Sequence, residues 1–192
     1  MGGKPGLFCV TYRLWSENLA FQMGGKFGLR CVTLLCEPYV LSRLDYCNAL
    51  LAGSPQVLLD KIQRVINCSA RLIFKVPKSA HISPFLYDLH WFPISSRIHY
   101  KISLICFHVV SGTAPLYLSE LLHLYSPSRS LRSAADTRFF RVPRMGGRTL
   151  VERSFQCNGP VIWNSLPLSV RHSSSLSSFK SKLKTHLLSS TY

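Results

Sequence analysis

The side chains that could do chemistry are few and scattered. The carboxylates are Glu17, Glu37, Asp45, Asp60, Asp88, Glu120, Asp136 and Glu152. No two are adjacent and none forms Asp-x-Asp, whereas metal-assisted phosphoryl transfer needs carboxylates gathered around the ions. The chain has no phosphate-cradling P-loop, no Gly-x-Gly-x-x-Gly turn, no His-Glu-x-x-His helix and no Gly-x-Ser-x-Gly elbow. The histidines stand at 81, 90, 99, 108, 123, 172 and 186. His81 and His90, like His99 and His108, are too far apart to share one face of a helix as a ligand pair. Cys106 and His108 leave different sides of a helix, so they do not read as a thiolate–imidazole pair. These residues predict no enzyme active site, no metal, no cofactor and no small-molecule substrate.

The cysteines are Cys9, Cys31, Cys36, Cys47, Cys68, Cys106 and Cys157, seven in all. An odd count without Cys-x-x-Cys argues against a disulfide framework or a zinc site. Cys47 and Cys106 lie in apolar stretches, where cysteine acts as a small hydrophobe. The expectation is reduced thiols in an intracellular protein, nuclear or cytoplasmic. The start of the chain lacks the apolar core of a signal peptide. The longest uncharged runs, 102–119 and 154–170, are interrupted by Gly112 and Pro115 and by Gly159, Pro160 and Pro167. Neither reads as a membrane-spanning helix.

What remains is positive charge. The 192 residues carry 23 Lys and Arg against 8 Asp and Glu, a net charge of +15. Such an excess favours polyanions, with nucleic acid and anionic membrane as the candidates. Lys61, Arg64, Arg71, Lys75 and Lys78 follow one predicted helix and its exit. Arg129, Arg132, Arg138, Arg141, Arg144 and Arg148 crowd a later segment, and Lys180, Lys182 and Lys184 line the last helix. Side chains of this kind hold phosphates without reading sequence. Phe139 and Phe140, set between arginines, could stack on bases. The competing reading is a solvated basic face with one of these rings in the core.

The elements that would position these groups are mostly helices. Hydrophobic residues make up 47% of the chain and charged residues 16%, enough apolar surface for a core. Residues 1–11 recur at 23–33 with nine of eleven positions identical. Two such copies are too few for a solenoid, so residues 1–37 read as an unrelated, poorly ordered segment. Tyr39–Leu51 reads as a helix closed by Gly53. Ser54-Pro55 starts another, with an apolar stripe at Leu58, Leu59, Ile62, Val65, Ile66, Ser69, Leu72 and Ile73, ending before Pro77. Short helices follow at 83–89 and 115–124. A longer one, with a stripe at Ile98, Ile102, Ile105, Cys106 and Val109, ends at Gly112. Residues 126–137 read as linker. Phe139–Val142 could form a short strand, and 151–164 is ambiguous because Gly159-Pro160 interrupts it. The last helix follows Ser173-Ser174-Ser175, with Leu176, Phe179, Leu183 and Leu187 on one side. The expected fold is mainly α, a loose array of about five to six helices with little sheet and an irregular basic linker. The expected divisions are 1–37, a helical region 38–125, the linker 126–150 and a helical segment 151–192.

One set of phrases resembles a known family. Ser42-Arg-Leu-Asp-Tyr-Cys-Asn-Ala-Leu-Leu-Ala-Gly53, Lys61-Ile-Gln-Arg-Val-Ile-Asn67, Leu89-His-Trp-Phe-Pro93, Gly112-Thr-Ala-Pro-Leu-Tyr-Leu118, Trp163-Asn-Ser-Leu-Pro167 and Ser177-Ser-Phe-Lys-Ser-Lys-Leu-Lys184 occur here in that order. They resemble the region after the polymerase palm in LINE-type, non-LTR retrotransposon reverse transcriptases of the chicken-repeat and jockey kind. The resemblance covers about residues 38–192. It implies a thumb-like helical part at 38–125 and the segment beyond, in a truncated copy. The family's catalytic palm carboxylates and endonuclease lie upstream and match nothing here, so no catalytic residue is carried over. The implied partner is RNA or an RNA–DNA hybrid, gripped through its backbone, which suits the basic helix from residue 54. Without a palm, the thumb-like part would expose an apolar face that favours self-association. The expected function is therefore a non-catalytic remnant with sequence-independent nucleic-acid affinity. The alternatives are an interaction module that interferes with intact element protein or RNA, and a basic amphipathic binder of anionic membrane surfaces.

Overall fold

A computed structural model describes residues 37–126, 138–143 and 153–191. The described residues are mainly helical, as the periodicity predicts: eight α-helices, with no sheet beyond one antiparallel bridge. The α-helices are α1 (Ser42–Asp45), α2 (Gln56–Phe74), α3 (Ser83–Asp88), α4 (Ile94–Val110), α5 (Leu116–Ser119), α6 (Phe155–Asn164), α7 (Leu168–Arg171) and α8 (Leu176–Thr191). The repeat in residues 1–33 lies outside the described residues. The described residues form two compact units, one from 37–46 together with Asp60–Trp91, the other from Cys47–Leu59 together with the described residues from Phe92 onward.

In the first unit the predicted helix over Tyr39–Leu51 is broken. A π-turn at Glu37–Leu41 leads into the single turn α1, and the chain then leaves helical geometry at Tyr46 and Cys47. Cys47 has φ 54°, the left-handed region, and a 3-10 turn at Asn48–Leu51 follows in the second unit. Apolar spacing supports a helix there, but of its apolar residues Leu41 alone is fully buried, Val40, Leu44 and Leu51 are half-buried, and Cys47 is exposed. Helix α2 forms as expected after Pro55, whose carbonyl accepts from Leu58 N–H at 2.9 Å. Its buried stripe is Ile66, Ser69, Ala70 and Ile73. Phe74 packs against Phe85 of α3 with ring centroids 4.9 Å apart.

Helices α2, α3 and α4 end alike. Within two residues of each helix end one residue takes positive φ, and the N–H that follows it reaches back five residues. The pairs are Val76 to Arg71, Trp91 to Leu86 and Thr113 to His108. This is the Schellman closure, which favours glycine at the left-handed position. Gly112 fills it after α4, but Lys75 (φ 53°) and His90 (φ 56°) fill it after α2 and α3. An L side chain in that region costs about 1–2 kcal/mol.

In the second unit α4 is the central element, contacting α6, α8 and the 3-10 turn. Its buried face is Ile94, Ser96, Ile98, Ile102, Ser103, Cys106 and Phe107. Ile105 and Val109, expected in the stripe, are only half-buried, because α8 is met through Phe107 instead. Helix α6 runs through Gly159-Pro160. Proline here, in the middle of the helix, removes the hydrogen bond that a residue 160 N–H would give to the Gln156 carbonyl, and glycine permits close packing. A Cβ on Gly159 would stand 3.4 Å from Leu122 and 3.5 Å from the Cys106 sulfur. The residues that read as breakers therefore set the approach of α6 to α4.

The rings of Phe140, Trp163, Phe179 and Phe107 form a chain through this core, with centroid separations of 5.9, 5.8 and 4.4 Å. Leu183 and Leu187 of α8 are buried beside Phe179 on the predicted stripe. Ser175 caps α8, its Oγ accepting from Ser178 N–H at 3.2 Å. The expected helix over Pro115–Leu124 stops at Ser119, since the chain beyond it pairs with the segment at Phe140. Tyr125 N–H donates to the Phe139 carbonyl at 2.7 Å, and Arg141 N–H to the His123 carbonyl at 2.8 Å. The short strand expected at Phe139–Val142 is thus reduced to the bridge Leu124–Phe140.

Two outcomes are expected from this architecture. Lys75→Gly should raise the free energy of unfolding by about 1 kcal/mol, read as a higher urea midpoint with unchanged slope. Asn164 accepts from Phe140 N–H at 3.0 Å and donates to its carbonyl at 2.8 Å. Asn164→Ala should therefore lower stability by about 2–3 kcal/mol in the same titration, since both buried backbone groups of Phe140 lose their partner.

Candidate nucleic-acid interface

The basic residues of the sequence divide unevenly between the two units. The described part of the first unit carries Arg43, Lys61, Arg64, Arg71, Lys75 and Lys78 against Glu37, Asp45, Asp60 and Asp88. The described part of the second carries Arg97, Lys101, Arg138, Arg141, Arg153, Arg171, Lys180, Lys182 and Lys184 against Glu120 alone. The unit of α4, α6 and α8, rather than that of α2, holds most of the unbalanced charge.

Within the first unit, Lys61, Arg64 and Arg71 lie along the side of α2 opposite Ile66, Ala70 and Ile73, as helical spacing requires. Lys61 and Arg64 are exposed, as are Lys75 and Lys78 at the exit. Arg71 is half-buried, and its Nη2 reaches the Ala80 carbonyl at 3.5 Å. That contact ties the loop after α2 back onto the helix.

Within the second unit, the residues expected to meet nucleic acid do different jobs. Arg138 is turned inward: its Nη1 donates to the Arg171 carbonyl at 2.8 Å and lies 3.4 Å from that of Ser173. The Arg138 carbonyl in turn accepts from Trp163 Nε1–H at 2.6 Å. Phe140 is 2% exposed and belongs to the core, which removes it as a base-stacking ring. Phe139 is half-buried, with the Arg171 guanidinium carbon 4.1 Å from its ring centre. Arg141 is exposed. On α8, Lys180 and Lys184 project to one side while Lys182 projects to the other, where its Nζ donates to the Ser169 carbonyl at 3.0 Å. Arg144 and Arg148, like Arg129 and Arg132, lie outside the described residues. The available cations of this unit that the sequence singled out are thus Arg141, Lys180 and Lys184.

No family model, no curated protein and no solved structure matches the chain. The reading of the site therefore rests on its own geometry.

Arg171 is a buried cation that sequence reasoning passed over. It is 4% exposed, its Nε donates to the Leu166 carbonyl at 3.0 Å, and its guanidinium covers Phe139. Nothing in the run Pro167–Arg171 separates this arginine from a solvated one, because its burial comes from α7 folding back under the 138–140 segment.

Among the described residues no group of His, Cys, Asp or Glu could hold a metal ion. No helix there is long and apolar enough to cross a membrane. Cys106 is fully buried and donates to the Gly159 carbonyl at 3.6 Å, and burial pushes its thiol up to about 12. Cys47, expected to pack as a small hydrophobe, is exposed, as is Cys68. Iodoacetamide on the native protein, followed by peptide mapping, should label Cys47 and Cys68 and spare Cys106 and Cys157. All four should label once the chain is unfolded.

Proposed function

We propose that this chain is a non-catalytic, helical nucleic-acid-binding protein that holds the phosphate backbone without reading sequence. We further propose that it descends from the post-palm region of a LINE-type retrotransposon reverse transcriptase. The observation that carries the binding reading is the charge of the second unit, nine Lys and Arg against one acid among its described residues. With so few carboxylates to neutralise them, exposed cations such as Arg141, Lys180 and Lys184 remain for phosphate oxygens. Lys61, Arg64, Lys75 and Lys78 of the first unit supply a second set on and beyond the outer side of α2. The descent rests on the ordered phrases between residues 42 and 184. The Trp163-Asn164 pair at the heart of one phrase has a clear structural duty, since both side chains bind the backbone of 138–140. The partner class proposed is RNA or an RNA–DNA hybrid.

The test is a titration of the full chain with a labelled RNA–DNA hybrid at several salt concentrations. Affinity should fall steeply as salt rises. Lys180→Ala and Lys184→Ala should each flatten the logarithmic salt slope by about one and leave thermal stability unchanged. Arg138→Ala should instead destabilise the fold, because Arg138 bonds to protein carbonyls. Absence of binding at low salt would remove the nucleic-acid reading.

A further inference from the structure

One stretch of the second unit carries no strong cation. Between Lys101 and Arg129 the sequence holds neither Lys nor Arg, in a chain with a net charge of +15. The later part of that stretch is apolar and lies on the surface. Leu116 is 75% and Tyr117 66% exposed, and Leu121, Leu124 and Tyr125 are exposed with them. Glu120 N–H donates to the Leu116 carbonyl at 3.0 Å, so the turn of α5 runs on to Glu120. Helical spacing then puts Leu116, Tyr117, Glu120 and Leu121 on one side. The stretch is fastened at two points. Leu122 is buried against α6, where a Cβ on Gly159 would stand 3.4 Å from it. Arg141 N–H donates to the His123 carbonyl at 2.8 Å. A held backbone thus presents an apolar patch with Glu120 inside it and Arg141 at its edge, both exposed.

We propose that this patch is a two-fold interface on which a second copy of the chain docks, Glu120 of each copy meeting Arg141 of the other. The proposal stands apart from the nucleic-acid reading. Three observations favour a second copy. The first is charge: copies with a net charge of +15 repel, and a surface without Lys or Arg is where they approach at least cost. The same bareness makes the patch a poor site for a polyanion. The second is Glu120, the one acid among the described residues of this unit. A lipid surface would bury its carboxylate without a partner, whereas a second copy brings Arg141 to it, and two-fold symmetry makes that pair twice. The third is area. The exposed fractions of the five apolar residues amount to about 500 Å² of surface, and a standard interface takes about 800 Å² from each partner, a little over half of it apolar.

The experiment is sedimentation equilibrium of the full chain, free of nucleic acid, over a hundredfold range of concentration reaching about 100 μM. The expected result is a dimer in reversible exchange with monomer. Tyr117→Ser should weaken it about tenfold or more and leave the circular dichroism unchanged, since that ring is exposed. Glu120→Arg and Arg141→Glu should each weaken it about tenfold, because each sets like charges together on both sides of the two-fold axis. An equimolar mixture of these two variants should dimerise within about threefold of the wild-type affinity, since every arginine then faces a glutamate again. A wild type that stays monomeric throughout overturns the proposal. So does a dimer that Tyr117→Ser leaves intact, or a mixture as weak as its components. Binding to phosphatidylserine-containing vesicles that Tyr117→Ser abolishes, with no dimer in solution, would assign the patch to a membrane instead.

Discussion

The second unit depends on one side chain, the indole of Trp163. Its ring joins Phe140 to Phe179, and through Phe179 to Phe107, so a loop segment, α6, α8 and α4 share one aromatic seam. Its Nε1–H donates to the Arg138 carbonyl, which draws the 138–140 segment down onto α6. A buried tryptophan needs such a partner for its single polar atom. Asn164 completes the attachment, its amide matching the donor and acceptor of Phe140 much as a neighbouring strand would. An irregular segment that could find few backbone partners of its own is held by two adjacent side chains of one helix.

From that attachment the surface chemistry follows. Phe140 is drawn inward, while its neighbours differ: Phe139 is half-buried against Arg171 and Arg141 is exposed. Because Arg138 is pulled to the carbonyls of Arg171 and Ser173, it is half-buried. Charge that looks continuous along the chain is thereby split into inward arginines that fasten loops and outward cations that can meet a polyanion. Arg71 in the first unit makes the same kind of tie, from α2 to Ala80.

Much of the helical framework was legible because its signals are local. Pro55 opens α2, Gly112 closes α4, and Ser175 caps α8, each through contacts within a turn of its own position. The break at Cys47 was not legible, since the apolar spacing around it fits a helix and no glycine marks the turn. Gly159-Pro160 misled in the opposite sense. Their effect on α6 depends on Cys106 and Leu122, which are distant in sequence. The candidate site shows the same division. That Arg138, Arg141, Lys180 and Lys184 are cations near one another in sequence could be read directly. Which of them reach solvent is decided by α7 and by Trp163, and a buried arginine such as Arg171 carries no local mark.

The Cys106–Gly159 contact joins residues 53 positions apart, and the ring seam from Phe107 to Phe179 spans a longer stretch still. Helix α4 is thus made well before the partners that cover it. During synthesis its apolar face, Ile98, Ile102, Cys106 and Phe107, must wait for α6 and then α8 to emerge. Contacts of this separation close late and leave hydrophobic surface open to other chains in the meantime. For this protein the hazardous interval lies before folding is complete, and the yield of native chains should depend on what shields α4 while its last partner is still being made.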